Sequence, residues 1–472
     1  MRNDRRSFRD QHPILAPIFG ELRSQFSGFG IVSIADSVML RAIMVSGEIK
    51  TGESARNRIA WRLLPFLFLL YVANYLDRTN IAYATLGMKG DLGLTDSVFG
   101  TASGIFFIGY FALQIPGALL VERWSARWLL ALTLITWGAL TTLTAFVHTP
   151  HQLYGARFLL GAAEAGFFPG VIVYLSHWFT TADRGKAIAR FMAAIPIGFM
   201  IGGPIAGSIL GVHWLGLAGW RWLFLMEGAP AIVLGVATIF YLPDWPKDAR
   251  WLLPTERDWI NTRLSDERAA KAHVERMTVW QALRHPAVLI LTTALFFTYI
   301  GGYAFWFWFP TILQRLTGWT DVRLIGWVGA IPFACATIGL LYVGWSSDRM
   351  RERRWHFAIP QIAAALALAA WFLLPHSNAL LVLLCSIIGM GTVAYFPAFF
   401  TLPSEFLTSA AAAAAVGFIN CTASIGGYFG PKIFGDLSQR TGSFNTGFVV
   451  MIACWIIGSV LVLICPRERV PA

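Results

Sequence analysis

From about residue 60 onward the chain alternates long apolar runs with short polar breaks. Twelve runs reach the roughly 20 residues that a helix needs to cross a bilayer. They fall near 60–82, 98–120, 128–147, 152–178, 187–211, 221–242, 287–310, 324–345, 357–374, 379–401, 411–433 and 444–465. The pattern predicts an all-α polytopic membrane protein with twelve transmembrane helices.

The polar breaks divide into two sets. Lys and Arg gather in every second break: Arg56/Arg58/Arg62, Arg123/Arg127, Arg184/Lys186/Arg190, the long segment 243–286, Arg349–Arg354 and Arg467/Arg469. The other set holds only a few, such as Lys89, Arg315 and Arg323. This is the positive-inside pattern, and it predicts that both termini and the long segment are cytoplasmic. The net charge of +11 is thereby a matter of topology, and no nucleic-acid partner is implied. Composition agrees with the membrane reading: 56% of residues are hydrophobic, 13% are charged and mean hydropathy is +0.59.

The first 58 residues stand apart. Arg5-Arg6-Ser-Phe is similar to a twin-arginine export signal, but Glu21 and Arg23 interrupt the apolar run behind it. Residues 1–58 are expected to form a cytoplasmic tail, disordered or lying on the surface, or to lie partly upstream of a start at Met44. The five cysteines, Cys335, Cys385, Cys421, Cys454 and Cys465, fall in or at the ends of apolar runs. Their spacing suits neither a metal nor a disulfide framework, and they read as small buried hydrophobes.

The two halves of the chain repeat. Gly161-Ala-Ala-Glu164-Ala-Gly-Phe-Phe-Pro169 aligns with Gly389-Met-Gly-Thr392-Val-Ala-Tyr-Phe-Pro397, Ile201-Gly-Gly203 with Ile425-Gly-Gly427, and Glu122-Arg123 with Asp348-Arg349. The expected organisation is a tail (1–58), six helices (59–242), a cytoplasmic connector (243–286), six related helices (287–466) and a short cytoplasmic tail (467–472). Parallel repeats of this kind build transporters, with the binding site between the halves near the membrane midplane.

Buried charge belongs to the first half alone. Asp77-Arg78 closes the first run, and Arg157 and Glu164 lie inside the fourth, seven apart and so two turns along one helical face. An ionisable group at such depth costs roughly 2.5–3.5 kcal/mol even on the mildest scale, so these four mark a functional site. The second half offers neutral groups at matching depth: Tyr303, Trp306, Thr392, Tyr395 and Asn420, with Asp77-Arg78 set roughly against Tyr303-Ala304. The cavity is expected to have a charged wall that binds and couples, and a neutral wall that shapes.

Longer strings resemble a known family. Gly117-Ala-Leu-Leu-Val-Glu122-Arg123-Trp-Ser-Ala-Arg127 and Gly344-Trp-Ser-Ser-Asp348-Arg349 resemble the cytoplasmic loop motif of the major facilitator superfamily. Tyr75-Leu-Asp77-Arg78-Thr-Asn80-Ile-Ala, Arg157-Phe-Leu-Leu-Gly-Ala-Ala-Glu164-Ala-Gly-Phe-Phe-Pro-Gly170 and Gly219-Trp-Arg-Trp-Leu-Phe-Leu-Met-Glu227-Gly resemble its anion:cation symporter branch. The resemblance covers the chain from about residue 55 and implies the major facilitator fold, two six-helix pseudo-repeats. Members carry tartrate, galactonate, phthalate, hydroxyphenylacetate and similar anions, mostly with protons. It implies that Arg78 binds a substrate carboxylate, that Asp77, Arg157 and Glu164 form the network coupled to protonation, and that Tyr75, Tyr110 and Asn420 contact substrate. Two departures, Phe399-Phe400 where many members have Phe-Trp and Ser424 in place of a second amide, point away from a polyol-rich sugar acid.

The chemistry is consistent with that role. Anion uptake opposes an inside-negative membrane potential by about 2.3 kcal/mol per charge per 100 mV, and accompanying protons cancel the penalty. Arginine grips carboxylate through two parallel hydrogen bonds, and glutamate supplies a group whose protonation follows its surroundings. The expected substrate contacts are Arg78, Arg157, Tyr75, Tyr110, Tyr303 and Asn420. The expected coupling residues are Glu164 and Asp77, with protonation of Glu164 releasing Arg157. Glu122, Arg123, Arg127, Asp348 and Arg349 are expected to latch the halves in one state of the cycle. The predicted protein is an inner-membrane symporter of protons and a small organic anion, working as a monomer in lipid, with no cofactor, metal or enzyme activity. The alternative is a proton-driven antiporter or multidrug exporter.

Overall fold

The computed structural model describes residues 31–272, 283–407 and 409–466. No strand occurs among them. The first half comprises α1 (Ile31–Leu92), α2 (Asp96–Arg123), α3 (Ala126–Thr144), α4 (Pro150–Trp178), α5 (Thr181–Leu210) and α6 (Gly219–Tyr241). After a connector helix at Pro254–Ala272, the second half comprises α7 (Pro286–Thr317), α8 (Val322–Met350), α9 (Arg354–Ala370), α10 (Asn378–Glu405), α11 (Ser409–Ala423, continuing as Gly426–Thr441) and α12 (Asn445–Ile464). Ten of these are individually long and apolar enough to cross a membrane. The other two sit where the ninth and eleventh apolar runs were predicted. α9 has only 17 residues, and α11 is interrupted and carries Lys432, Asp436 and Arg440 in its second part.

Residues 1–30 of the expected tail lie outside the described residues, and the rest of the tail is helical. α1 runs unbroken from Ile31 to Leu92. Its extension packs on the connector helix: Ser54 Oγ donates to Glu256 Oε1 at 2.6 Å, Arg58 lies 3.4 Å from the same carboxylate, and Arg56 stands over the Trp259 ring. The connector's charges thus hold a helix that hydropathy alone ends near residue 60.

Two helices break where the repeat predicts a common device. Pro169 has no N–H for the Ala165 carbonyl and Pro397 none for Val393, so α4 opens at Ala165–Gly166 and α10 at Ala394–Tyr395. Glu164 and Thr392 therefore stand at the last turn before a break, in equivalent places of the two halves.

Small residues let the helices approach. A Cβ added to Gly161 of α4 would collide with the Phe106 backbone carbonyl of α2, whereas one on Gly155 of the same helix meets nothing within 4 Å. Gly161→Val is expected to cost about 1–3 kcal/mol or more through overpacking. It should lower the unfolding temperature in detergent, with Gly155→Val close to wild type; equal melting curves for both would contradict this packing.

Candidate functional site

The charged side chains of α1 and α4 meet as two linked groups. Arg78 Nε donates to Glu164 Oε2 at 2.8 Å, and Asn74 Nδ2, one turn earlier on α1, donates to the same oxygen at 2.9 Å. Asp77, on the neighbouring face, accepts from Asn80 Nδ2 at 2.6 Å and from Thr141 Oγ1 of α3 at 2.5 Å. Asn74, Asp77, Arg157 and Glu164 are each at most 1% exposed. The Arg78 side chain retains 15%. Arg78 is thus the cation of the cluster with a face left open.

That face is aromatic. The Arg78 guanidinium lies 4.9 Å from the centre of the Tyr110 ring, 5.4 Å from Tyr75 and 5.5 Å from Phe106. Across the interface Tyr303 meets Phe107 at 4.4 Å between ring centres and Trp306 meets Phe199 at 4.7 Å. The polar groups of the second half are engaged with one another: Tyr299 Oη donates to Asn420 Oδ1 at 2.8 Å, and Trp306 Nε1 to Thr392 Oγ1 at 2.9 Å. Trp308 faces away, fully buried with its indole N–H on the Pro431 carbonyl at 3.1 Å.

The structure differs from the sequence picture in three places. Glu164 pairs with Arg78 and not with Arg157, because the α4 break follows Glu164 directly and α1 offers two donors at its level. Arg157, expected among the substrate contacts, is 0% exposed, with the Phe106 ring 5.0 Å away. None of its guanidinium nitrogens has a hydrogen-bond partner among the described residues. The repeat register also shifts: Arg78–Glu164 has a neutral counterpart in Trp306–Thr392, each member displaced by 228 residues. Arg78 therefore corresponds to Trp306 rather than to Ala304.

The cluster also contains residues to which the sequence reading gave no role. Asn74, Asn80 and Thr141 look like ordinary polar helix residues until their partners are known. Glu227 of α6 has the clearest signal, an acid inside the apolar run 221–242, next to Gly228, which packs against Gly138 and Thr142 of α3.

The sequence profile of the Major Facilitator Superfamily matches residues 67–431. The chain belongs to the major facilitator superfamily. It is 38% identical to a provisionally named tartrate transporter of Agrobacterium vitis over 89% of this chain and 94% of that protein. It is 34% identical to a quinolone resistance transporter of Acinetobacter baumannii over 86% and 93%. Among solved structures, a bacterial homologue of the human lysosomal transporter Spinster superposes with a TM-score of 0.70 at 19% identity, over 85% of this chain and 96% of that one. The first of these relatives accords with the anion:cation symporter branch. The protein is a multi-pass membrane transporter, not an enzyme.

In this major facilitator protein the halves are fastened at the end opposite the connector. Asp96, at the start of α2, receives Arg315 of α7 through two bonds, NH1 to Oδ2 at 2.8 Å and NH2 to Oδ1 at 2.5 Å. Ser438 Oγ of α11 donates to Asp96 Oδ2 at 2.6 Å, the Asp96 backbone N–H donates to Gln439 Oε1 at 3.1 Å, and Lys89 Nζ reaches Oδ1. Ser97 Oγ adds a bond to Asp436 Oδ1 at 2.5 Å. Among the described residues, every hydrogen bond and ion pair joining the halves involves Asp96 or Ser97. At the connector end Arg127 of the first half pairs with Asp244 of the connector at 3.5 Å, Asp348 pairs with Arg353 of its own half at 2.7 Å, and Arg349 lies over Trp345. The side chains of Glu122 and Arg123 lie outside the described residues.

Proposed function

We propose that the protein carries a small organic carboxylate into the cell together with protons, by alternating access between its two halves. The observation that carries this reading is the bond between Arg78 and Glu164. A guanidinium with one open face is held by a carboxylate that a proton neutralises. Protonation of Glu164 removes the charge that holds Arg78, and the guanidinium then turns its fork to the substrate carboxylate. On the other side of the membrane, loss of the proton restores Glu164 as a competitor and expels the substrate. Binding and protonation are thereby linked through a single cation. Arg157 balances Asp77 and Glu164 behind the site.

The aromatic lining favours a flat, ring-bearing monocarboxylate. Tyr110, Tyr75, Tyr303 and Trp306 offer ring faces, while the amide oxygen of Asn420 and the hydroxyl of Thr392 already have partners and leave few groups for a polyol. The positive-inside pattern supports a cytoplasmic connector and cytoplasmic termini, with the protein in the inner membrane. The Asp96 network then closes the outer side, and the site is reached from within. Lipid supplies the surroundings of a functional monomer.

The test is uptake into proteoliposomes of labelled tartrate, galactonate, phthalate and hydroxyphenylacetate, with and without an acid-outside gradient. One acid accumulates with the gradient, an aromatic one before the polyols. In Glu164→Gln the accumulation ratio falls to about 1 while substrate counterflow persists, because the neutral amide can neither hold Arg78 as an ion pair nor lose a proton. Gradient-driven accumulation by Glu164→Gln would refute the coupling role. The similarity to a quinolone resistance transporter keeps a proton-driven exporter as the second reading. Drug efflux with no acid uptake would establish that reading instead.

A further inference from the structure

On the neutral wall, Tyr299 Oη of α7 donates to Asn420 Oδ1 of α11 at 2.8 Å. The bond fixes which way the amide points. Its oxygen is turned toward α7, and Nδ2 with its N–H donors is left over. Among the described residues Nδ2 has no hydrogen-bond partner. Unlike Gln361 Nε2, it is not sealed inside the protein either. Tyr299 itself is held firmly: it is 7% exposed, and its ring meets Tyr303 edge-on at 5.3 Å between centres. Gly426 lets α11 press against it, since a methyl there would sit 2.6 Å from the Phe296 carbonyl and 3.1 Å from Tyr299 Cβ.

Open space flanks the bond on both helices. A methyl on Gly417, three residues before Asn420 and on the same helical face, would meet nothing within 4 Å. One on Gly302, three residues after Tyr299, would meet only Thr392, at 4.0 Å. An unbroken series of ring contacts leads from here to the cation of the first half. Tyr299 touches Tyr303, Tyr303 meets Trp306 at 5.0 Å, Trp306 meets Phe199 at 4.7 Å, and Phe199 meets Tyr75 at 5.3 Å. The Tyr75 ring lies 5.4 Å from the Arg78 guanidinium. A carboxylate-binding fork and a spare amide donor thus stand at the two ends of one aromatic belt, and few polar groups placed in an apolar lining are what orient a ligand.

Building on the carrier reading above, we infer that Tyr299 is a positioning residue that presents Asn420 as a hydrogen-bond donor. The substrate is then an aromatic monocarboxylate with an acceptor, a ring nitrogen or a carbonyl oxygen, on the side remote from its carboxylate. Arg78 takes the carboxylate, the rings hold the plane, and Asn420 Nδ2 donates to the remote acceptor. A plain ring leaves that N–H without a partner, and a ring bearing its own donor sets N–H against N–H.

Three small acids of nearly one shape test this: benzoate, isonicotinate and 4-aminobenzoate. Their binding to the whole protein in lipid nanodiscs is read by calorimetric titration at neutral pH, where the pyridine nitrogen is unprotonated. Wild type is expected to bind isonicotinate about tenfold more tightly than benzoate, and 4-aminobenzoate no better than benzoate. Tyr299→Phe keeps the ring and its packing but frees the amide, so the preference shrinks to about twofold while benzoate affinity barely moves. A merely structural role for Tyr299 would weaken both acids alike. Asn420→Leu, of similar volume, removes donor and preference together. Equal binding of isonicotinate and benzoate by wild type, or a preference for 4-aminobenzoate, overturns the inference and leaves the Arg78 site standing. An undiminished preference in Tyr299→Phe overturns the positioning role. Absence of binding by all three acids would overturn the carrier reading and this inference with it.

Discussion

Replacing Arg78 with Ala is expected to abolish saturable uptake, a fall of about a hundredfold or more. Truncating one member of a buried, hydrogen-bonded charge pair costs about 2–5 kcal/mol, and on the proposed mechanism Arg78 is engaged in both halves of the cycle. Without it the substrate carboxylate has no cation with an open face, since Arg157 is sealed behind Phe106. Glu164 would keep only the Asn74 amide on the oxygen it now shares with Arg78. Arg78→Lys separates charge from shape. It retains the positive charge but not the planar fork, so apparent affinity should fall roughly tenfold with the gradient requirement intact. Initial rates against substrate concentration, in vesicles with and without an acid-outside gradient, decide the matter. Near wild-type uptake by Arg78→Ala would move the binding function to another residue.

Replacing Asp96 with Ala is expected to unfasten the outer end. Asp96 ties α1, α2, α7 and α11 together, and its loss leaves Lys89 and Arg315 as two cations facing one another across the interface. A change of about 2 kcal/mol shifts a two-state population by roughly thirtyfold, enough to make an outward-open form prominent. Hydrogen exchange measured by mass spectrometry should rise over residues 96–104 and 426–441. It should fall at the inner ends of α2 and α8, as the charged turns there come together. Accumulation would drop because a carrier held open on one side cannot complete its cycle. Unchanged exchange at both ends would show that glycine contacts alone, such as Gly104 against the Tyr428 carbonyl, keep the interface shut.

The helices and the charged wall were legible because each obeys a local rule. Apolar runs of bilayer length must be helical, and ionised groups inside them are too costly to be incidental. Partner choice was not legible. Seven residues on one helix suggested an Arg157–Glu164 pair, but pairing depends on how α1 and α4 abut, and the break after Glu164 directs that carboxylate to α1. Asp96 reads in sequence as a favourable acid in the first turn of a helix, and nothing local reveals that its partners lie at 315 and 438. Lys89 and Arg315 did leave a trace, as basic residues in the set of breaks that otherwise avoids them. Their position follows from Asp96. Glu227 was visible as an acid in an apolar run, but its surroundings come from the packing of α6 on α3, where Gly228 meets Gly138 and Thr142.

The neutral counterpart of the Arg78–Glu164 bond has a mechanical consequence. α1 is joined to α4 by a contact that a proton can dissolve, whereas the equivalent joint between α7 and α10 is an indole on a hydroxyl, indifferent to pH. One half of the carrier therefore has a clutch where the other has a rivet. On the proposed mechanism, acidity loosens this joint in the first half and leaves its counterpart in the second unchanged, so the second half serves as the bearing against which the first turns. Mutations in that bearing can reshape the cargo space while leaving the drive untouched, so selectivity and energy conversion are free to evolve separately along the same chain.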